Sequence, residues 1–453
     1  MTQSNKNSSG IFARLEGDKV VWIIVLMLIL ISIVCIFSST SRLLEPGETR
    51  LDKVLDQLKT VGMGLGVIFL CYVCRSTEIY RQIARWCFIL SLVLLVFLHF
   101  GPTSGPVKSI SLNESRRAIS VFGLQFFVFE AVKVLMILYL AWATDAIKRK
   151  EQTVMGRIAG KHGWRVLKST AAIKAVYIFI PFLIVCLLIL PGSNTAAVFV
   201  GFIMLLTIML GGGGVKDVTL LVIFGAMLLA GCYSIYTLSD GEAFSRLGTA
   251  LSGSRTTELK DMERSFNLAQ NNDERQKVLD KLRQPYSARI AIKQGGFFGK
   301  GPGQSTQRYM VPDMSEDYIF SFIIEEYGLW GAFIVIFLYV SLLARGSRIA
   351  RNCGKDEFAK TTIAGLVLLI SMQAFLHMFV NVGIGPTTGQ TLPLISHGNS
   401  AFLCFCAAFG IILSMSRIAQ RRIEREEQMA KSLTIDGEPV SKEAYLFDDE
   451  NEY

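Results

Sequence analysis

Ten apolar blocks, most of them close to the length of a membrane span, constrain the fold of this chain more than any other feature of its sequence. A helix needs about 20 apolar residues to cross the ~30 Å of hydrocarbon in a bilayer. The chain is 51% hydrophobic and only 18% charged, whereas a soluble protein carries about 25% charged residues. The sequence therefore predicts an all-α polytopic membrane protein with ten transmembrane helices, and it excludes a soluble enzyme, a disordered chain and a small disulfide scaffold. The predicted spans are residues 20–39, 61–73, 86–100, 124–143, 171–190, 195–210, 218–238, 318–344, 361–382 and 400–415.

Basic residues cluster at alternate ends of these blocks and predict how the chain is oriented in the membrane. The clusters follow the second, fourth, eighth and tenth blocks, and cytoplasmic loops are the ones that keep Lys and Arg. Both termini are therefore predicted to be cytoplasmic, and the net charge of +9 reflects topology rather than nucleic-acid binding. The predicted organisation is a cytoplasmic N-terminal tail (1–19), a ten-helix membrane domain (20–416) with one large extracytoplasmic loop at about 239–317, and a cytoplasmic C-terminal tail (417–453).

Two ionisable residues in the fourth predicted span are the first functional candidates. Glu130 and Lys133 are three residues apart, so their side chains project from one face of a helix and can neutralise each other. Burying an ionisable group in a membrane costs about 3 kcal/mol or more. Two interpretations stay open from the residues alone: a structural ion pair between helices, or a pair that takes part in the chemistry of an outer cavity.

A second group of acidic residues lies where the long loop enters the eighth predicted span. Asp317 stands at the start of that span, where an N-cap carboxylate is as good an explanation as a functional role. Glu325 and Glu326 lie about two helical turns deeper. They need partners at that depth, and basic residues of the outer loops are the candidates.

Two glycine-containing outer segments complete the set of candidates. Residues 295–303 read GGFFGKGPG, which predicts either a flexible loop or a backbone that approaches a ligand closely. Residues 383–400 combine glycines, prolines and small hydroxyl residues, and such a segment is expected to fold tightly against a cavity. Within it, His397 is a candidate for titration or metal binding, or for a structural hydrogen bond.

Four of these stretches, in this order along the chain, resemble the SEDS family of polytopic cell-wall proteins (shape, elongation, division and sporulation). Residues 130–133 (EAVK) match the family's E-x-x-K, and residues 295–301 match its GG-x-x-G-x-G. Residues 317–328 resemble its DFIF…EE-x-G pattern, and residues 386–400 resemble its P-x-x-G-x-x-LP-x-IS-x-G-x-S loop. The amino-acid sequence of residues 388–396 favours the cell-division branch of the family. The chain departs from the pattern at Ala118, where the family has tryptophan, at residues 127–129 and 191–195, and at His397 and Asn399.

The resemblance implies a peptidoglycan glycosyltransferase that polymerises lipid II at the outer face of the bacterial cytoplasmic membrane, in this branch at the division septum. The family's essential aspartate corresponds to Asp317, which would act as general base. Fixed cations or a divalent metal would stabilise the pyrophosphate that leaves, and no cofactor is identified. The implied partners are the growing lipid-linked glycan, membrane lipids, a class B penicillin-binding transpeptidase and other divisome proteins. The candidate substrate-binding residues are Glu130, Lys133, Arg116, Arg117, Lys300, Arg308, Glu325, Glu326, Ser396, His397 and Ser400.

Two other functions remain compatible with the sequence. A transporter or flippase for a lipid-linked precursor would also need many spans and intramembrane charges, but it would be expected to show an inverted repeat, and the two halves show no convincing similarity. A division scaffold would need the same membrane domain but no base at Asp317.

Overall fold

The computed structural model describes residues 16–39, 50–112, 115–149, 170–238, 272–311, 314–384 and 389–435. Residues 239–271 and 312–313 of the predicted large outer loop, residues 385–388 of the last outer loop and both chain ends lie outside these ranges. The described part is mostly helical. Its helices are α1 Lys19–Ser39, α2 Arg50–Val73, α3 Thr77–Phe100, α4 Val128–Lys148, α5 Thr170–Lys174, α6 Ile180–Ile189, α7 Asn194–Leu210, α8 Val215–Leu238, α9 Asn272–Gly295, α10 Ile319–Asn352, α11 Glu357–Asn381 and α12 Asn399–Ile435.

Seven helical stretches in the described ranges are long and apolar enough to cross a membrane. The stretch Ala171–Ile189 combines α5 and α6 with the π-helix Ala175–Phe179 that joins them. Helix α7 is apolar but shorter. The membrane-length stretches are Lys19–Ser39, Val54–Val73, Thr77–Phe100, Ala171–Ile189, Ile319–Asn352, Glu357–Asn381 and Asn399–Gln428.

Helix α4 lies at the centre of the bundle. Every residue from Val128 to Ala146 except Leu135 is buried, and α4 contacts α3, α7, α11 and α12. A helix that is buried on all sides has no lipid-facing surface that must be apolar. The central position therefore explains why α4 can carry Glu130, Lys133 and Asp145.

A small antiparallel sheet precedes α4 and corrects the all-α prediction for this part of the chain. The strands are β1 Val107–Leu112, β2 Ser115–Val121 and β3 Leu124–Phe127, in the order β1-β2-β3. Phe122 and Gly123 connect β2 to β3 and both have positive φ (49° and 90°), as a two-residue type I′ hairpin turn requires. The fourth span was predicted to start at Leu124, but the helix starts at Val128 because residues 124–127 pair with β2.

Ion pairs gather at the end of the bundle where α4 finishes. Arg81 of α3 lies 3.1 Å from Asp145 of α4 and 3.2 Å from Asp356, which precedes α11. Arg345, near the end of α10, lies 2.7 Å from Asp18. Several of the basic residues predicted to face the cytoplasm are thus at this one end, and the opposite end holds the candidate site.

Candidate functional site

Asp317 lies in the turn that leads into α10, with its side chain half-buried. The helix begins at Ile319, and its N-cap is Tyr318, which makes no side-chain capping hydrogen bond. Asp317 is therefore the residue before the N-cap and not the N-cap itself. The backbone carbonyl of Asp317 accepts a hydrogen bond of 3.0 Å from Asn381 Nδ2 at the end of α11, which fixes the turn against the neighbouring helix.

The carboxylate of Asp317 and the guanidinium of Arg117 both face the backbone of Gly389. A Cβ atom placed on Gly389 would lie 3.8 Å from Asp317 Oδ2 and 3.8 Å from Arg117 Nη1. The two charged groups are therefore separated by no more than twice that distance. Arg117 belongs to β2, and its Nε donates to the carbonyl of Gly192 at 3.2 Å. The sheet thus places a positive charge close to Asp317, the predicted base. This end of the bundle, around Asp317, Arg117 and Gly389, is called the rim below.

Arg116, the neighbouring candidate, is directed elsewhere. Its Nη1 donates to the carbonyl of His99 at 2.5 Å, and His99 Nε2 in turn contacts the carbonyl of Leu188. The register of β1 against β2 shifts here, since Ser111 pairs with Arg116 and Ile110 with Ala118. Arg117 is thus the extra residue of a bulge that changes the direction of its side chain. The two arginines of β2 therefore contact different parts of the protein, and the geometry brings Arg117, rather than Arg116, toward Asp317.

Lys133 is buried below this rim and bonds three acceptors. Its ammonium lies 2.7 Å from Glu130 Oε1, 2.6 Å from Gln373 Oε1 and 2.8 Å from Gln390 Oε1. An ammonium group carries three N–H donors, so these three contacts use all of them. The pair predicted from the E-x-x-K spacing is confirmed as an ion pair, and it connects α4 to α11 and to the loop before α12.

A polar stripe on α11 links the buried lysine to Asp317, and it was missed from the sequence. Gln373, His377 and Asn381 are spaced by four residues, so they share one helix face. His377 Nδ1 contacts the carbonyl of Gln390 at 2.7 Å, and Asn381 Nδ2 bonds the carbonyl of His377 as well as that of Asp317. Three polar residues at this spacing in an apolar span are the signal that would have found them.

The loop before α12 folds back on the Asp317 turn. Ser396 Oγ donates to the carbonyl of Glu316 at 2.7 Å, and the backbone N–H of His397 donates to the carbonyl of Ser315 at 2.9 Å. The His397 ring contacts Gln57 Oε1 of α2 at 3.0 Å. Ser400 accepts a hydrogen bond from the backbone N–H of Phe127. These contacts show Ser396, His397 and Ser400 holding the walls of the site together.

Glu325 and Glu326 form a second, internal cluster with the remaining basic candidates. Lys300 Nζ lies 2.7 Å from Glu325 Oε1, and Arg308 Nη1 lies 4.0 Å from Glu326 Oε1. Glu325 also accepts hydrogen bonds from residues 305–307, and Glu326 accepts them from Ser38 and the backbone of residues 303 and 305. The predicted basic partners are present, and their contacts hold the loop 296–310 against α10 and α1. Binding of substrate by these four residues remains a prediction.

Two glycines of residues 295–303, Gly295 and Gly299, allow close backbone packing against α10. The backbone N–H groups of Lys300 and Gly301 donate to the carbonyls of Glu325 and Glu326, each at 2.9 Å. A Cβ atom on Gly299 would collide with the Glu326 carbonyl. The close approach expected from the glycine pattern therefore occurs, but it is made to another part of the same chain.

Replacing Gly299 by alanine is expected to destabilise the protein by more than the same change at Gly303. Both glycines have φ near +78° (79° and 78°), a conformation that costs an L-residue roughly 1–2 kcal/mol. Only Gly299 faces a carbonyl that its new methyl group would strike; nothing lies within 4 Å at Gly303. Thermal unfolding of the two variants in detergent measures the difference, and equal Tm values would contradict the packing role.

Among the described residues, no group of three or more His, Cys, Asp or Glu side chains is arranged to hold a metal ion. The divalent metal that the resemblance implies as an alternative to fixed cations stays a prediction.

Comparison with known proteins identifies the family. Residues 18–421 match the FtsW/RodA/SpoVE family, described as "Cell cycle protein". A protein of Methylomonas methanica named "Probable peptidoglycan glycosyltransferase FtsW" is 28% identical over 336 residues, covering 74% of this chain and 75% of that protein.

Two solved structures share the fold. One is a chain from a study of "polymerization and crosslinking by a peptidoglycan synthase complex" (TM-score 0.59, 20% identity, 89% of this chain and 98% of that one). The other is the rod shape determining protein RodA of Thermus thermophilus (TM-score 0.55, 19% identity, 89% and 98%). The resemblance seen in the four motifs is thus confirmed, and the chain belongs to the FtsW/RodA/SpoVE family of cell cycle proteins.

Proposed function

We propose that this protein is a peptidoglycan glycosyltransferase that polymerises lipid II at the outer face of the bacterial inner membrane. The names of its relatives support the activity. The proposal includes the ten-span topology with cytoplasmic termini, which places the end of the bundle that holds Asp317 outside. The basic residues gathered at the opposite end support this orientation.

The observation that carries the proposal is that the half-buried carboxylate of Asp317 and the guanidinium of Arg117 both lie beside Gly389, a residue that has no side chain. A glycosyl acceptor hydroxyl must lose its proton as its oxygen bonds to C1 of the donor sugar. Asp317 would accept that proton as general base. The bond between C1 and the phosphate oxygen breaks at the same time, and its electron pair leaves with the lipid pyrophosphate. Arg117, on the same side of Gly389 as Asp317, would stabilise the negative charge that develops on the pyrophosphate.

The buried network below this rim would position the catalytic groups. Lys133, Gln390, His377 and Asn381 are joined by hydrogen bonds that end at the backbone of Asp317. Catalysis of this kind depends on groups that are already in place before the reaction. The network would hold the turn that carries Asp317 in place, so that its carboxylate is positioned to act as base. Glu130 and Lys133 would then act indirectly, by supporting this turn.

The proposed biological setting is septal synthesis together with a class B penicillin-binding transpeptidase. The sequence of residues 388–396 and the FtsW names of the relatives support a division role. The fold shared with a chain from a peptidoglycan synthase complex supports assembly with a crosslinking enzyme. Other divisome proteins are further proposed partners.

Purified protein is expected to convert lipid II into glycan polymer in detergent micelles. No membrane has to be crossed under these conditions, so a flippase or a scaffold would yield no polymer. The assay is read by gel separation of labelled glycan strands, with the cognate transpeptidase absent and then present. Polymer in the presence of the partner, and none from the partner alone, supports the transferase. An absence of polymer in both arms, from protein that remains monodisperse, would contradict it.

A further inference from the structure

A cavity of about 180 Å³ lies between α4, the π-helix Ala175–Phe179 and the turn from α7 to α8. Its lining includes Lys148, Lys174 and Asp217, together with apolar side chains of the π-helix. The family motifs do not reach this region, and the glycosyltransferase chemistry proposed above makes no use of it.

The cavity lies at the membrane face opposite Asp317. Glu130 stands in the first turn of α4 and Lys148 in the last. A rise of about 1.5 Å per residue separates the two by about 27 Å along the helix, close to the ~30 Å thickness of the hydrocarbon. In the topology proposed above, on which this inference rests, the cavity opens at the cytoplasmic leaflet.

Two lysines from different helices supply positive charge to the cavity. Lys148 Nζ lies 2.5 Å from Glu357 Oε2, and Lys174 Nζ lies 2.6 Å from Asp217 Oδ2. Both lysine side chains are partly exposed (40% and 29%). The lining itself carries two lysines and one aspartate, a formal charge of +1, and Glu357, the partner of Lys148, stands outside the lining.

Backbone features keep this space open. Residues 211–214 are four consecutive glycines, and Gly212 has φ of +83° with the ammonium of Lys148 placed where a side chain would be. The π-helix opposite is a rare form that is common at functional sites, and it presents Ile178 and Phe179 to the cavity. The cavity therefore has two lysine ammonium groups, of Lys148 and Lys174, on one side and apolar side chains on the other.

We propose that this cavity binds a phosphate group, carried either by an anionic phospholipid such as phosphatidylglycerol or by a small soluble phosphate. Basic pockets between transmembrane helices on the cytoplasmic side suit anionic headgroups. The volume is below the roughly 300–1,000 Å³ of sites that enclose a drug-sized molecule, which favours a single phosphate over a nucleotide. The apolar wall favours a lipid, whose glycerol and acyl chains continue into the bilayer.

The test is binding by the purified full chain, so its result does not depend on whether the chain polymerises lipid II. Phosphatidylglycerol is titrated onto the protein in detergent, and the retained lipid is counted by native mass spectrometry, with phosphatidylcholine as the zwitterionic reference. The variants are the double change Lys148→Gln with Lys174→Gln, the single change Lys174→Gln, and Lys216→Gln as control. Lys216 is exposed on α8 and does not line the cavity.

The double variant is expected to bind phosphatidylglycerol at least about tenfold more weakly, and Lys216→Gln is expected to bind like the wild type. If the double variant fails to fold, Lys174→Gln should still lower the affinity by at least about threefold. Inorganic phosphate at millimolar concentration separates the sources, because it competes at a soluble-phosphate site and has little effect on a lipid site. The proposal is overturned if both cavity variants bind phosphatidylglycerol and inorganic phosphate as tightly as the wild type does. It is also overturned if Lys216→Gln loses as much affinity as the cavity variants.

Discussion

Replacing Asp317 by asparagine is expected to lower the rate of lipid II polymerisation by at least about 100-fold, the lower end of what a general base contributes. Asparagine has nearly the same shape but cannot accept the proton of the acceptor hydroxyl. The carbonyl of Asp317, which bonds Asn381, is unchanged by the substitution. The loss should therefore appear in the rate, with Tm and the elution volume of the purified protein close to those of the wild type.

The adjacent carboxylate provides the matched control for this prediction. Glu316 lies in the same turn, is also half-buried, and contributes its backbone carbonyl to Ser396. Glu316→Gln removes one negative charge at the same place in the fold and should leave the rate within a few fold of wild type. Full activity in Asp317→Asn, or an equal loss in both variants, would show that Asp317 is not the base.

The membrane part of the fold could be predicted from the sequence because its signal is local. Each predicted span falls largely on helix, since about 20 consecutive apolar residues admit little else in a bilayer. The sheet at 107–127 could not be predicted in the same way. Its strands are short and irregular, and they pair only because the positive φ angles at Phe122 and Gly123 reverse the chain.

The site was predictable in part, and for different reasons at different residues. The role of Asp317 came from the family pattern, because an aspartate before a helix is by itself an ordinary N-cap. The Glu130–Lys133 pair followed from helix geometry. The partners of Glu325 and Glu326 were expected to be basic. Only the fold shows that these partners are Lys300 and Arg308, and that the contacts hold the loop 296–310 against α10. Gln373, His377 and Asn381 could not be assigned to the site from the sequence because their partners, Lys133, Gln390 and Asp317, lie on other elements that only the fold brings close to α11.

The largest effect on stability is expected from Lys133→Met. The change leaves Glu130 buried without its cation and removes the donor shared by Gln373 and Gln390. Removing one member of a buried ion pair costs about 3–5 kcal/mol, whereas replacing both members by apolar residues is often far less costly. The double variant Glu130→Leu with Lys133→Met should therefore unfold at a higher temperature than Lys133→Met alone. Glu130→Gln, which strands the lysine charge, should also fall below the double variant.

An exposed pair with the same spacing tests whether burial is the cause. Lys59 lies 2.9 Å from Asp56, three residues away on α2, and both side chains are more than half exposed. Exposed pairs contribute at most about 1 kcal/mol, so Lys59→Met should barely change Tm.

If Lys133→Met changes Tm as little as Lys59→Met does, the Glu130–Lys133 pair does not stabilise the bundle. If Lys133→Met, Glu130→Gln and the double variant keep the wild-type Tm but lose polymerisation equally, the pair acts on substrate directly, and the supporting role proposed for it is wrong. A structural role requires instead that activity and Tm fall together across the three variants, with the double variant the least affected.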